Sequence, residues 1–258
     1  MKKYNNFKIM MAVSALSFSI FNTVIAADLP TELRADTIEY NAQTDMAIAS
    51  GKVTVNRDGG VLTGNEATYN FKTQEVAIKG GVTASKEDMN LKAESLTSSA
   101  TKEVVAKGNV VLVKADNTLT GEEIHYNQNT NDIAMPLGGH AVGPEAEISA
   151  DVLSGNITTN QYIANGNVYL NSKTNDVQST SDSANYTGTG EDFNFVAIGN
   201  VNIKSPSRNI VTNSDNATYN SAENGKLVLT GNAVATQNNN IVRGNTLTVY
   251  LGDNVNIQ

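Results

Sequence analysis

The chain has 258 residues, with 18 Lys or Arg against 26 Asp or Glu, a formal charge of −8 and no cysteine. Nucleic acid and anionic membrane surfaces reward a basic patch, so this acidic balance argues against both as partners. The lack of cysteine excludes a disulfide framework and a lipidated N-terminal cysteine, and the length suits one or two domains with a real core or one elongated repeat domain.

The first 26 residues carry Lys2, Lys3 and Lys8, then an apolar run from Ile9, then Val24, Ile25 and Ala26. A basic segment, an apolar segment and small residues in that order read as a secretory signal peptide cut after Ala26. Ile9 to Ala27 is also long enough to be an uncleaved anchor, but Ser14, Ser17, Ser19, Asn22 and Thr23 weaken it as a span. Removing the three lysines leaves 15 basic against 26 acidic residues, a mature charge of −11. Any anionic ligand must then be held by something other than net charge.

From residue 27 to 258 two short motifs alternate. One starts at Ala35 (ADTIEY) and returns at Gly64 (GNEATY), Ala93 (AESLTS), Gly121 (GEEIHY), Ala150 (ADVLSG), Ser181 (SDSANY), Ser214 (SDNATY) and Gly244 (GNTLTV). The starts lie 29, 29, 28, 29, 31, 33 and 30 residues apart. A period near 30 means a stacked architecture of about eight repeats. Between these copies runs a glycine motif, GKVTV from Gly51, GNVVL from Gly108, GNVYL from Gly166, GNVNI from Gly199 and GNAVA from Gly231. Within each period apolar residues alternate with polar ones, a strand signal, and segments such as YNAQTD after Tyr40 and YNQNTND after Tyr126 read as hairpin connections.

The alternation changes phase inside the acidic motif, since Leu33 and Ala35 share one parity while Ile38 and Tyr40 share the other. A strand keeps all four inward only by bending or bulging near Asp36. In the glycine motif the parity is kept, as in Ala106, Gly108, Val110 and Leu112. Each repeat therefore reads as two creased strands, and the predicted fold is an all-β, elongated antiparallel β-jelly roll, V-shaped and open along a groove. The groove lining follows from the parity: Leu33, Ile38, Tyr40, Val53, Val55, Tyr69, Leu96, Val110, Leu112, Ile124, Tyr126, Leu153, Val168, Leu170, Tyr186, Val201, Ile203, Tyr219, Leu247 and Val249. Five of the nine tyrosines fall in one repeat slot, placing amphipathic rings along one line.

Residues 135–145 (MPLGGHAVGPE) interrupt the fourth repeat with Pro136 and Pro144, which remove ladder donors, and read as a bulged edge or a soft joint. His125 and His140 are the only histidines and are read as surface residues, so no catalytic site is assigned and the chain is not expected to be an enzyme. The recurrent Asp36, Glu94, Glu122, Asp151, Asp182 and Asp215 lack a second acidic residue at ligand spacing, so no metal or other cofactor is expected and they are read as solvated crease residues. Neither the first motif nor the last (NTLTVYLGDNVNIQ) carries the lysine or proline that protects an edge, which suits strand addition to a like-folded partner.

The paired motifs GEEIHYNQNTNDIAMPLGG, SDNATYNSAENGKLVLTGNAVATQ and LKAESLTSSATKEVVAKGNVVLVKA resemble the OstA-like (LptA-type) family of periplasmic lipopolysaccharide-transport bridge proteins, over residues 30 to 258. The resemblance implies a β-jelly roll in the periplasm that shields lipopolysaccharide or a related acylated glycolipid. It also implies end-to-end homo-oligomers, with an inner-membrane transport complex at one terminus and an outer-membrane β-barrel translocon at the other. Eight motif copies exceed what a short bridge protein of that kind needs. The alternative reading is a parallel β-solenoid, a structural or adhesive surface rod with a solid interior and no lipid groove.

Overall fold

Val, Thr, Ile and Asn alternating at period two favour a pleated, half-buried surface over a helical stripe. The structure, a computed structural model, accordingly consists almost wholly of antiparallel strands. It describes residues 31–251 apart from 58, 145, 174, 175, 190, 191 and 224, so the signal segment lies outside the described residues. Two compact units divide the chain at Gly139 and His140.

The N-terminal unit holds β1 (Thr31–Arg34), β2 (Thr37–Asn41), β3 (Met46–Arg57), β4 (Gly60–Asn70), β5 (Glu75–Lys86), β6 (Met89–Ser98), β7 (Glu103–Lys114), β8 (Asn117–Asn127) and β9 (Asp132–Met135). β1 and β2 both pair with β3, and from there each strand pairs with the next through β9. β10 (Gly139–Val142) begins at the boundary. The C-terminal unit continues with β11 (Ala146–Ala150), β12 (Val152–Asn156), β13 (Gln161–Ser172), β14 (Val177–Thr189), β15 (Asp192–Ser205), β16 (Ile210–Asn220), β17 (Lys226–Gln237) and β18 (Asn240–Tyr250). Here β11 and β12 both pair with β13, and the remaining strands pair in sequence through β18.

The two units thus open the same way, on a strand broken at an aspartate. The amide of Asp36 donates to the Gly51 carbonyl at 2.8 Å, and that of Asp151 to the Gly166 carbonyl at 2.9 Å. The fold is an all-β, antiparallel β-jelly roll. A parallel solenoid is incompatible with it, because each of these registers is antiparallel.

The crease lies in the glycine strands. Opposite β8, Lys107 faces Glu123 and Val110 faces Gly121, which leaves Gly108 and Asn109 together against Glu122. Both bulge residues are left-handed, with φ of 80° at Gly108 and 46° at Asn109, and the pair recurs at Gly166 and Asn167 with 75° and 47°. Glycine takes that conformation freely and asparagine tolerates it better than most side chains, which is why the motif reads Gly-Asn. The extra residue therefore belongs to the glycine strand. The acidic strand, where a bend near Asp36 was expected, supplies the single residue opposite.

The bulge also explains the parity. In β7 the buried set Val104, Ala106, Val110 and Leu112 keeps one phase across the inserted residue. In β6 the buried set changes phase, from Met89, Leu91 and Ala93 to Leu96 and Ser98. Connections at one end start with a Tyr-Asn or Gly-Asn step whose Asn closes an Asx turn. The Asn127 Oδ1, for example, accepts from the amides of Asn129 and Thr130 at 2.9 and 3.2 Å. The same geometry recurs at Asn41, Asn70, Asn156 and Asn220. Among the described residues the only helical segment is a single 3-10 turn, Pro206–Arg208.

Candidate functional site

With one face of each creased sheet turned inward, the interior of each unit is the site to be built. In the N-terminal unit Leu112, at 0 % exposure, meets Leu91 on β6 and Leu119 on β8 across the strands. In the C-terminal unit Ser179 on β14 faces both Leu170 on β13 and Ile203 on β15. Such cross-strand pairs set the spacing of successive rungs.

Of the predicted lining, Val53, Leu96, Val110, Leu112, Ile124, Tyr126, Val168, Leu170, Tyr186, Val201, Ile203 and Val249 are buried. Val55, Tyr69, Leu153, Tyr219 and Leu247 are half-buried. Leu33, Ile38 and Tyr40 are exposed, at 39 %, 51 % and 59 %, because β1 and β2 pair on β3 at the start of the unit and no described strand covers them. Tyr40 there stacks edge-on against Phe71, which does the same against Tyr69.

Sequence reasoning gave Ala106 the inward phase but missed the other rungs upstream of each glycine. Val76 and Ile78, Val104 and Ala106, Tyr162 and Ala164, Phe195 and Ala197, and Leu227 and Leu229 are all buried. They sit four and two residues before the first glycine of each bulge, so extending the alternation backwards finds them. In the tyrosine slot Tyr126 and Tyr186 are buried, Tyr69 and Tyr219 half-buried and Tyr40 exposed, and two of the hydroxyls reach the turns. Tyr126 donates to Asn131 Oδ1 at 2.7 Å and Tyr40 to Asp45 Oδ1 at 3.2 Å. Burial pushes the phenols of Tyr126 and Tyr186 above their ordinary range.

The acidic crease residues are exposed and lie against the bulge glycines. A Cβ at Gly166, Gly199 or Gly231 would fall on the carboxylate of Asp151, Asp182 or Asp215. The neighbouring asparagine latches the same carboxylate: Asn167 Nδ2 donates to Asp151 Oδ2 at 2.8 Å, and Asn200 Nδ2 to Asp182 Oδ2 at 2.8 Å. Gly, Asn and Asp are thus one interlocking crease repeated along the sheet. Among the described residues no group of His, Asp or Glu is placed to hold a metal.

His125 lies on the outer face between Glu103, 3.2 Å away, and Glu123, 2.5 Å away. That contact, with Lys107 at 3.1 Å, holds the Glu123 carboxyl below its ordinary value. His140 pairs with Glu147 at 2.9 Å. Both are solvent-side ion contacts of small energetic weight.

The class the fold defines is an antiparallel β-jelly roll with an inward row of mostly apolar side chains in each unit. The family described as LptA/(LptD N-terminal domain) LPS transport protein matches residues 32–132 and again residues 147–255, so the chain belongs to that family and its role lies in lipopolysaccharide transport. The two matches fall one in each unit. No curated protein matches. Among solved structures the chain is similar to LptH, the LptA homologous periplasmic component of the lipopolysaccharide transport device from Pseudomonas aeruginosa, at 21% identity over 38% of this chain and 76% of that one, with a TM-score of 0.35. A fainter likeness, at 8% identity and a TM-score of 0.15, is to the WD40 domain of SCAP from fission yeast, over 90% of this chain and 92% of that one. Superpositions this loose support no conclusion about either fold.

Proposed function

We propose that the chain is a periplasmic bridge that takes the acyl chains of lipopolysaccharide between its apolar rungs and passes the lipid from an inner-membrane transport complex to an outer-membrane β-barrel translocon. The observation that carries this reading is the double family match, each copy falling on one unit with the same opening and the same creased hairpins. Burying methylenes at about 0.8 kcal/mol each gives ample affinity without any help from net charge. Similar rungs at a regular spacing let a bound lipid move between nearly equivalent positions. The sequence holds no phosphate-binding GxxxxGK[ST] loop, so the drive comes from a partner.

Residues 1–26 act on this reading as the cleaved export signal, and residues 135–145 as the joint between two copies of one module. End-to-end association follows from the terminal strands. β2 is exposed along its whole length, and β18 pairs with β17 and is exposed from Asn240 to Thr246. Open edges of that kind accept a further strand.

The test is a photocrosslinking residue in place of Tyr126, buried in the N-terminal unit, against one in place of His125 on the outer face. Lipopolysaccharide captured at position 126 and not at 125 is the expected result. Capture at 125 alone would overturn the face assignment.

A further inference from the structure

The residue three positions before the acidic or asparagine centre of each repeat forms one rung slot of the interior. Reading along the chain it is Leu33, Leu62, Leu91, Leu119 and Ile148, then Ser179 and Thr212, and last Val242, with Leu33 and Val242 in the two terminal repeats each 39 % exposed. Leu62, Leu91, Leu119 and Ile148 are at most 3 % exposed, and so are Ser179 and Thr212. Two successive rungs of the C-terminal unit have thus exchanged a branched aliphatic side chain for a hydroxyl without leaving the interior. They flank one residue, since Ser179 and Thr212 both face Ile203.

The two hydroxyls are not equivalent. Thr212 Oγ1 donates to the Ile203 carbonyl at 3.4 Å, whereas Ser179 Oγ has no hydrogen-bond partner. A buried hydroxyl left unmatched is a cost the fold bears for some other reason. Where a leucine would have filled the space there is a pocket, lined by Leu170, Ile203, Tyr219, Leu227, Ser179 and Arg208 among others. Arg208 enters it from the Pro206–Arg208 turn, held by Nη1 donating to Ser205 Oγ at 3.0 Å and Nη2 to the Leu251 carbonyl at 3.3 Å. Asp176 stands nearby. Burial alone would raise its carboxyl, but hydrogen bonds from Ser207 and Ser205 and the charge of Arg208 leave it below the ordinary value. Asp176 is therefore occupied by the turn that carries the arginine.

We infer that the Ser179–Arg208 pocket is a headgroup subsite, in which the guanidinium and the buried hydroxyl hold a phosphate of the acylated glycolipid while its chains lie along the apolar rungs beside it. Arginine suits a phosphate because its planar donors engage two oxygens at once, and a hydroxyl donor within an apolar wall adds direction. The N-terminal unit has leucine in the corresponding slots, so the subsite belongs to the C-terminal unit. A phosphate on a glycolipid and the carboxylate of a free fatty acid share this chemistry. The hydroxyls of Ser181, Thr212 and Ser214 are each spent on a backbone carbonyl, so the choice of probe separates the two sources.

This inference rests on the lipid-carriage reading, and the experiment separates the two. The mature protein is titrated with three probes: the bis-phosphorylated acylated anchor of lipopolysaccharide, the same anchor stripped of phosphate, and palmitate. Wild type should bind the phosphorylated anchor about tenfold more tightly than the stripped one. Arg208→Met should erase that preference while leaving the stripped anchor within about twofold of its wild-type affinity, and Arg208→Lys should keep part of it. Ser179→Ala should raise the melting temperature, by removing the unmatched hydroxyl, and still weaken the phosphorylated anchor about threefold. That opposite movement of stability and affinity is not produced by a merely structural serine, and it decides the matter even if Arg208→Met does not fold. Failure of wild type to bind any anchor would sink the carriage reading. An equal preference in wild type and Ser179→Ala, or an effect confined to palmitate, would overturn the subsite alone.

Discussion

The two units share a crease and differ in what they bury. Within residues 31–139 the interior is mostly aliphatic, built on Ile78, Met89, Leu91, Leu96, Leu112, Leu119 and Ile124, with Tyr126 beside them and Ser98 as the buried residue of polar type among the described residues. Within residues 140–251 Ser179 and Thr212 take the slot held by Leu91 and Leu119, and Ser172, Ser181, Ser205 and Ser214 are buried as well, beside the aromatic Tyr162, Tyr186 and Phe195. The crease is dictated by backbone geometry and tolerates almost no change. The rungs are dictated by what has to fit against them, and that is where two copies of one module have diverged.

The comparison breaks most visibly when rungs are exchanged. Leu91→Ser should cost about 3 kcal/mol or more, since it opens a cavity and buries a hydroxyl, whereas Ser179→Ala should be stabilising; chemical denaturation of the two variants reads the contrast. The interior allows no charge at Leu112. Leu112→Asp should unfold the N-terminal unit outright, with far-UV circular dichroism losing its strand signal there and retaining that of the C-terminal unit.

The crease should respond alike in both halves. Gly51→Ala and Gly166→Ala each force a Cβ onto an aspartate in the left-handed region, with a destabilisation of about 2 kcal/mol or more in either unit by denaturant titration. A markedly milder effect in one unit would show that its bulge can relax. Between the asparagines a finer difference is expected. Asn167 both adopts positive φ and latches Asp151, so Asn167→Ala should cost about 0.5–1 kcal/mol more than Asn109→Ala, where no such latch is made to Glu94.

The smallest effect is on pH. The Glu123 carboxyl is depressed by His125 and then by Lys107, so it contributes stability above the unfolded-state carboxylate pKa and loses it as pH falls through the lowered folded value. Thermal midpoints taken downward from pH 6 should therefore fall less steeply in Glu123→Gln than in wild type, and only in the N-terminal unit's transition.

Much of this was legible in the sequence because period-two alternation and a 30-residue repeat leave few architectures open. The phase change at the acidic motif and the constant phase through Ala106, Gly108, Val110 and Leu112 located the crease to within a residue. What escaped was which strand carries the extra residue. That depends on two consecutive left-handed residues, and φ is not written in composition, although Gly followed by Asn at four of the glycine motifs was the available sign. Apart from Ala106, the rungs before each glycine escaped because the parity was otherwise followed only downstream. The partition into two units was visible only as a proline-bearing interruption at residues 135–145, since the repeat itself runs through with nearly unchanged spacing. Ser179 could have been noticed as the first break in the run Leu33, Leu62, Leu91, Leu119 and Ile148, yet its burial and unmatched hydroxyl needed the three-dimensional register.

Native mass spectrometry of the mature protein purified from its own host tests the central claim most directly. The account predicts an acylated glycolipid bound to the intact chain, captured by a photocrosslinking residue at position 126 and not at position 125. A chain that is lipid-free under conditions gentle enough to preserve apolar complexes would contradict it.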